Sequence, residues 1–342
     1  MRLRDGELNL VLPLPQESAV LAVREMDMPG TAMAQAVDTT NLATLGPEVA
    51  IDGYACPATL DADNGGVRTA IIGYSPQALR TWDPFTGALV AETALGGAED
   101  VRDAMAIAAW PARSTTTVFV FGEFTPNWYG WRAHDLRTGQ KAEHLGTDDY
   151  GWFIQEARVQ AVADFLVLPA QTTRFDERWS EVVHDGRLDV FRLPEGTLCG
   201  SLDHHAPAHF STAVVGGRPL LAAQDGVYGL PGLEKVASLP HSCFSGPCTL
   251  GEFGGDGVVI GQSPGSPQAL AVWTLDTPER SLGEIPVPWV GPTYDLALTE
   301  GGTLFAATQS GLYAVPVADM CRSPGPGSAS PSKAHDPSTP GH

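Results

Sequence analysis

A hairpin pattern that recurs along the chain constrains the fold more than any other feature of the sequence. The stretch TWDPFTGALVAETAL, from Thr81 to Leu95, joins an aromatic–Asp pair to a Thr-Gly turn and then to an alternating apolar run. Related stretches follow at 131–146, 187–202, 226–239, 269–285 and 310–319. A short apolar run precedes each hairpin, and an alternating run precedes that. Self-similarity at a nearly fixed period is the signature of a repeat architecture.

Each repeat is interpreted as four short strands, in the order inner, second, third and outer. The inner strands are predicted to begin near Glu7, Ala55, Val101, Ile154, Ala208, Pro247 and Thr293. Consecutive starts are 39 to 54 residues apart, around the roughly 40–45 residues of a four-stranded propeller blade. Because such a blade cannot bury both of its faces alone, blades stack radially into a ring. We therefore predict an all-β chain, with residues 1–319 forming a single seven-bladed β-propeller of four-stranded antiparallel blades.

The last repeat runs out of strand-forming sequence after Asp319. Its outer strand is then either missing or supplied by the first few residues of the chain, which would close the ring. Residues 320–342 are rich in Pro, Ser and Gly and contain almost nothing to bury, a composition typical of disorder. A linker, a phosphosite-bearing tail and an unselected end are the open interpretations of this segment.

The hairpin residues are interpreted as scaffold rather than as a binding site. Three aromatic residues on third strands are expected to fill the space between neighbouring blades: Trp82, Phe191 and Trp273. Asp83 and Asp135 are expected to begin turns, because an Asp side chain readily accepts hydrogen bonds from the backbone that follows it. Gly87 and Gly139 are expected to supply the positive φ of those turns.

The pattern resembles the WD-repeat β-propeller family. RTWDPFTGALV matches the strand with its Trp-Asp pair and Thr-Gly turn, and WRAHDLRTGQKAEHL and LAVWTLDTPERSL look like divergent copies of it. The resemblance extends to about Val317. It implies a rigid, non-enzymatic platform for the assembly of other proteins.

The charge balance restricts the kind of partner. Forty acidic residues face 20 basic ones, for a formal net charge of −20, and the sequence has no basic run. Phosphate binding needs clustered Lys and Arg, so neither nucleic acid nor an anionic membrane surface is expected as a partner. We expect a monomer that binds a protein partner, possibly through a basic segment of that partner.

Cysteine usage and the N-terminus indicate the compartment. The five cysteines are odd in number and mostly far apart, unlike a secreted disulfide framework. The apolar stretch near the N-terminus is broken by Glu7, Asn9 and two prolines, so no signal peptide or membrane span is predicted. Lys is rare, whereas Ala, Gly, Pro and Arg are common. We expect a soluble, cytoplasmic, bacterial protein.

Candidate binding residues lie in the connections that this strand order brings to one face. These are the turns between second and third strands and the links from each outer strand to the next blade, which together we name the loop face. Exposed Trp, Tyr and Arg are typical of binding hot spots. The candidates are Trp128, Tyr129, Asp148, Asp149, Tyr150, Trp152, Arg174, Trp179 and Trp289. The alternative is that these aromatic residues plug loops or cap the channel.

Residues 174–186 form the longest loop within a blade, either a specificity element or a tolerated surface excursion.

The sequence carries no recognisable catalytic motif, and we predict no catalytic residue and no cofactor. The pattern Gly-x-Ser-x-Gly occurs only as GQSPG at 261–265, between two predicted strands rather than at a strand-to-helix elbow. There is no phosphate-binding Gly-rich loop, and GGDG at 254–257 is interpreted as a strand-to-strand turn. No metal site is predicted; the residues that a zinc site would use are His204, His205, His241 and Cys243. Cys243 and Cys248 are close enough in sequence to pair under oxidation. The functional alternative is a propeller lyase, glycosidase or quinone-dependent oxidoreductase with its site at the central channel.

Overall fold

A computed structural model of the chain contains seven antiparallel β-sheets that follow one another along the sequence. The residues that the structure describes are 2–5, 9–14, 18–25, 31–41, 43–52, 54–61, 66–75, 77–95, 103–110, 117–125, 128–138, 159–175, 181–193, 195–203, 209–278, 281–289 and 291–321. In this part of the chain, regular structure other than strands is limited to a 3₁₀ turn at His241–Phe244 and one short helix, α1, at Val317–Met320. The predicted all-β class and seven-bladed propeller are confirmed.

The strands form seven blades. Each blade has four antiparallel strands, except blade 3, of which three strands lie within the described residues. Blades 1 to 3 contain β2 (Leu10–Pro13), β3 (Ala19–Glu25), β4 (Thr31–Asp38) and β5 (Val49–Asp52); β6 (Tyr54–Asp61), β7 (Val67–Ser75), β8 (Ala78–Trp82) and β9 (Leu89–Ala94); and β10 (Asp103–Ala109), β11 (Thr117–Thr125) and β12 (Trp128–Asp135). The stretch that follows β12, in which the outer strand of blade 3 is predicted, lies outside the described residues.

Blades 4 to 7 complete the ring. They contain β13 (Gln160–Val162), β14 (Phe165–Phe175), β15 (Glu181–Arg192) and β16 (Thr197–Asp203); β17 (Phe210–Val215), β18 (Arg218–Ala223), β19 (Gly226–Gly229) and β20 (Glu234–Ser238); β21 (Thr249–Phe253), β22 (Asp256–Ser263), β23 (Ser266–Thr274) and β24 (Ser281–Pro286); and β25 (Thr293–Leu298), β26 (Thr303–Thr308) and β27 (Gly311–Pro316). The GGDG turn lies between β21 and β22, where Phe253 pairs with Asp256.

The N-terminal strand closes the ring. Strand β1 (Arg2–Asp5) pairs antiparallel with β27, with Arg2 opposite Tyr313 and Asp5 opposite Gly311. The first residues of the chain therefore supply the outer strand of the last blade, the second of the two arrangements that the sequence left open. The backbone N–H of Val11 in blade 1 also donates to Asp295 Oδ2 in blade 7, at 2.8 Å.

The hydrophobic core is divided among the blade interfaces. Seven buried apolar clusters are present in the described part of the chain, and each joins one blade to the next, the last blade to the first included. Trp82, Phe191 and Trp273 lie in three of these clusters, as predicted. Phe191 also packs edge-on against Trp131, with ring centroids 5.4 Å apart. Stacking of blades, rather than any single blade, thus buries the apolar faces.

The turn chemistry agrees with the prediction where it can be followed. Asp83 Oδ1 accepts the N–H groups of Phe85 and Thr86 at 2.8 and 3.0 Å. Gly87 has φ of +71°, and a side chain there would also meet Pro47, since a Cβ would lie 2.6 Å from its Cγ. The positive φ of these turns therefore requires glycine at this position.

The second of these turns begins at Asp135. Its Oδ1 accepts the N–H groups of Arg137 and Thr138 and the Thr138 hydroxyl at 2.8–2.9 Å. Burial by itself raises the pKa of Asp135, but the bonds from Thr138 and Arg137 outweigh it, so the net pKa is lowered. Gly139 lies outside the described residues.

The packed chain continues slightly beyond the predicted end of the propeller. Met320, which the sequence assigns to the tail at 320–342, is completely buried as part of α1. It belongs to the cluster between blades 6 and 7, and a Cβ at Gly283 would overlap its carbonyl oxygen. The placement of Met320 in the tail was therefore wrong, because a short helix returns it to an apolar interface. Residues 322–342 lie outside the described residues.

Polar side chains join the inner strands of neighbouring blades. Gln160 in blade 4 accepts the Thr212 N–H with its Oε1 at 2.8 Å and donates from its Nε2 to the Phe210 carbonyl at 3.0 Å. Ser211 Oγ in blade 5 accepts the Leu250 N–H of blade 6 at 3.0 Å. Together with the bond between Val11 and Asp295, these contacts fix the spacing of strands around the channel. In the described residues, no helix is long and apolar enough to cross a membrane.

Candidate functional site

The loop face contains a cavity between blades 6 and 7. Its volume is about 450 Å³, and three connections of the loop face supply its walls. Residues 245–247 link blade 5 to blade 6, and Gln262 and Gln268 flank the turn between the second and third strands of blade 6. Residues 286–289 and 291–293 belong to the link from blade 6 to blade 7. The strand order that was predicted from the repeats thus brings these segments together in space.

The cavity has an apolar floor and an uncharged polar rim. Leu270 and Trp289 are buried and Val287 is half-buried, whereas Ser245 and Gln268 are exposed. The lining residues, all of them described, contain no Asp, Glu, Lys, Arg or His. The site therefore offers shape, apolar contact and neutral hydrogen bonding, but no acid, base or metal ligand.

Trp289 forms part of the cavity wall rather than an exposed anchor. Only 5% of its surface is accessible. Its Nε1 donates to Thr293 Oγ1 at 2.9 Å, and its ring lies against Tyr313 with centroids 5.2 Å apart. The expectation of an exposed hot-spot tryptophan was wrong at this position, because the indole fills the interface between blades 6 and 7.

A two-stranded ribbon extends from blade 4 on the same face. Strands β14 and β15 are 11 and 12 residues long, but β13 reaches only as far as Val167 and β16 only as far as Arg187. Beyond them, five residue pairs from Gln171–Gly186 to Phe175–Glu181 continue the hairpin. At about 3.3 Å per residue this adds roughly 16 Å. We name residues 171–175 and 181–186 the blade 4 ribbon.

The ribbon corrects the prediction of a long loop at 174–186. Arg174 lies on β14 opposite Val183, and only residues 176–180, which include Trp179, fall outside the described backbone. The stretches TTRF and EVVH are rich in β-branched and aromatic residues, which favour extended structure. The segment extends from the blade as two paired strands rather than as a loop.

Two further candidates are also on a strand. Trp128 and Tyr129, predicted in a loop, open β12 and pair with Thr125 and Glu123 of β11. The strands of blade 3 are thus longer toward the loop face than the sequence pattern indicated. The remaining aromatic and acidic candidates lie outside the described residues: Asp148, Asp149, Tyr150 and Trp152.

In the described part of the chain, the residues that could bind zinc are not brought together. His241 is exposed, with Nδ1 3.0 Å from the Gln224 carbonyl oxygen, whereas Cys243 is completely buried in the 3₁₀ turn. Among the described residues, no group of three or more His, Cys, Asp or Glu side chains could hold a metal ion. His204 and His205 lie outside them.

Cys243 and Cys248 belong to the apolar cluster between blades 5 and 6, and no disulfide joins them. Burial raises the pKa of the Cys243 thiol well above its ordinary value, and the neighbouring Cys248 adds to the shift. Thiol chemistry therefore requires an opening of this interface, because the reactive thiolate is disfavoured inside it.

An ion pair that was not recognised in the sequence lies at the loop-face turn of blade 5. Asp225 accepts the Lys235 ammonium at 2.6 Å and the Tyr228 hydroxyl at 2.5 Å. The bond from Lys235, followed by that from Tyr228, lowers the pKa of Asp225. Burial and the neighbouring carboxylate raise the pKa of Tyr228. The charges of Asp225 and Lys235 neutralise each other and the Tyr228 hydroxyl is bonded to the same carboxylate, as in a structural contact.

Comparisons with known proteins establish the fold alone. No protein-family model matches the chain, and no curated protein matches it. The crystal structure of BamB from Moraxella catarrhalis is similar at a TM-score of 0.50 and 15% identity, covering 90% of this chain and 84% of that one. Hydrazine synthase from Kuenenia stuttgartiensis is similar at a TM-score of 0.59 and 13% identity, covering 92% of this chain and 97% of that one.

Proposed function

We propose that the chain is a non-enzymatic protein-interaction platform that grips a partner on its loop face. The observation that carries the proposal is the blade 4 ribbon. A two-stranded ribbon on its own is only marginally stable in water. In the part of the chain that the structure describes, β13 and β16 stop pairing before the ribbon begins, so neither edge of the ribbon pairs with a further strand. Its backbone N–H and C=O groups thus provide an edge on which an extended partner segment can add a strand.

The charge of the chain favours a basic partner over a second copy. With a net charge of −20, two copies repel one another, while a segment carrying Lys or Arg is attracted and steered to the surface. Arg174 and Trp179, one on the ribbon and one in the segment that joins its strands, are the candidate contacts. The resemblance to WD-repeat propellers, which implies an assembly platform, supports the same assignment.

Site-specific photocrosslinking tests the proposal directly. A benzoylphenylalanine at position 174 should crosslink one protein in native lysate, which mass spectrometry then identifies. The matched control is Thr86, an exposed residue in the Asp83 turn on the opposite face. We expect the same crosslink to be absent when benzoylphenylalanine replaces Thr86.

A shortened ribbon separates binding from folding. Replacement of residues 171–186 by Asn-Gly leaves Ala170 opposite Arg187, the pair that would close a two-residue hairpin. This variant should keep cooperative melting and lose the partner. A shortened variant that still binds the partner with unchanged affinity contradicts the proposal.

The alternative is a propeller lyase, glycosidase or quinone-dependent oxidoreductase with a site at the central channel. One of the structural neighbours bears the name of an enzyme, so the fold is compatible with catalysis. The platform is favoured because the ionisable cluster traced on the loop face, Asp225 with Tyr228 and Lys235, is bonded within itself. Absence of a crosslink at position 174, together with a small molecule retained in native mass spectrometry, would favour the enzyme.

A further inference from the structure

We infer that the cavity between blades 6 and 7 is a binding site for an uncharged peptide segment, with one apolar side chain of the segment held against its floor. The inference rests on the proposed function, since it names what the loop face accepts at a second place. It concerns a different part of the ring from the blade 4 ribbon, and it can therefore be tested without the partner.

Size and floor chemistry favour an apolar side chain. A volume of about 450 Å³ lies within the range of about 300–1,000 Å³ that is typical of ligand pockets. The floor is formed by Leu270, Trp289 and Val287. The tryptophan is fixed by its bond to Thr293 and its contact with Tyr313, so the floor is rigid and little ordering is required on binding.

The absence of charge around the cavity selects against ionic ligands. Forty of the 342 residues are acidic, yet none of the described lining residues carries a charge. A charged side chain that entered would lose its hydration without a countercharge, at a large cost. The cavity thus has the opposite preference from the surface as a whole, which attracts cations.

The rim suits the main chain of a peptide. Gln268 is exposed, and its amide both donates and accepts hydrogen bonds, as a peptide unit does. Ser245 Oγ lies 2.7 Å from Gln262 Oε1, which places a hydroxyl and a second amide on the same wall. Gly246 and Gly291 present no side chain that would obstruct the approach of a backbone. An apolar centre surrounded by a neutral polar rim is the usual anatomy of an interface hot spot.

The test is an NMR titration with minimal peptide units. The probe is N-acetyl-L-leucinamide, which has one apolar side chain between two amides, and the readout is the Trp289 indole N–H resonance. Trp289→Phe identifies that resonance by its loss. We expect a saturable shift with a dissociation constant in the millimolar range, and no saturable shift with N-acetyl-L-lysinamide.

Two matched glycine substitutions locate the binding. A Cβ at Gly246 meets nothing nearer than Gln262 Oε1, at 3.8 Å, so Gly246→Leu fits and places its side chain at the cavity. Gly265, in the turn between β22 and β23, is also open, with Ser263 Oγ at 3.7 Å, but does not line the cavity. Gly246→Leu should abolish the shift, and Gly265→Leu should retain it. Gln268→Ala, which leaves the floor intact, should weaken binding about threefold, which corresponds to about 0.7 kcal/mol.

The outcomes divide clearly. A leucinamide shift that is lost in Gly246→Leu and kept in Gly265→Leu supports the site. No saturable shift, an equal response to the lysine probe, or an unchanged shift in Gly246→Leu overturns it. If leucinamide binds while benzoylphenylalanine at position 174 gives no crosslink, the cavity stands and the platform fails. If crosslinking at position 174 succeeds while leucinamide does not bind, the platform stands and this site fails.

Discussion

The ring closure at Asp295 gives the sharpest test of how the propeller is held together. Asp295 lies on the inner strand of blade 7 and is only 3% exposed. Its Oδ2 accepts the Val11 N–H of blade 1 at 2.8 Å, and its Oδ1 accepts the adjacent Leu296 N–H at 2.7 Å. Asp295→Ala removes both acceptor oxygens. It leaves the buried Val11 N–H unsatisfied at the seam between the last blade and the first.

The size of the effect follows from that geometry. An unsatisfied buried donor costs about 1–3 kcal/mol, and bonds to charged acceptors lie toward the upper end, so we expect a loss of about 2–3 kcal/mol in the free energy of unfolding. Unfolding entropy of about 2.1 cal/mol/K per residue gives roughly 0.7 kcal/mol/K for the 342 residues. The melting temperature should therefore fall by about 3–4 °C.

Calorimetry at neutral pH with two comparison variants measures this loss. Asp295→Asn keeps an oxygen that can accept the Val11 N–H and should lose about half as much. Ser211→Ala removes a neutral acceptor from the Leu250 N–H between blades 5 and 6, and should cost about 1 kcal/mol. If Asp295→Ala melts within about 1 °C of the wild type, or if Ser211→Ala costs more than Asp295→Ala, the carboxylate does not hold the seam and the reasoning fails.

Three further predictions concern packing, thiols and pH. Gly283→Val should lower the melting temperature and detach α1, because its Cβ would overlap the Met320 carbonyl; limited proteolysis at the C-terminus would detect this. In the native protein Ellman's reagent should label Cys199, which is partly exposed, well before Cys56, which is buried with a pKa raised to about 12; equal rates would contradict the packing. The pKa of Asp225 is lowered from 3.8, so its carboxylate stabilises the fold above that value, and the contribution is lost as the pH falls further. Asp225→Asn removes the negative charge and keeps the size of the side chain, so it should lower the melting temperature at pH 7 and have less effect at pH 3.

Local chemistry made the scaffold predictable from the sequence. In the turn after Trp82, the Asp83 side chain accepts backbone N–H groups only two or three residues further along. Asp83 and Gly87 therefore indicate the turn within a stretch of seven residues. The aromatic residue at the end of the third strand repeats because the gap between blades repeats. A repeat fold uses the same strand-and-turn pattern in every blade, so a blade whose sequence has diverged can still be recognised from blades in which the pattern is well kept.

Contacts between distant residues could not be read in this way. Val11 and Asp295 are 284 positions apart, and nothing adjacent to either residue indicates their contact. Trp289 illustrates the same limit, since an aromatic residue among prolines is compatible with exposure, and only the position of Tyr313 in the next blade shows that the indole is covered. At the ribbon the error was one of local form, because length alone does not distinguish a loop from two paired strands.

The two features of the loop face depend on the same rigid ring but use different physics. In the proposed function, the ribbon offers backbone hydrogen bonds at an edge, whose strength is insensitive to side-chain identity, while the net negative charge of the chain sets which partners arrive. The cavity would add apolar contact at a place without charge and so select among partners after they arrive. Apolar clusters at all seven interfaces and closure by β1 hold blades 4, 6 and 7 in one ring. A partner that occupied both features would therefore make its second contact intramolecularly, at a high effective concentration. In the proposed function, ring closure would thus serve recognition as well as stability, because it holds the cavity at a fixed distance from the ribbon.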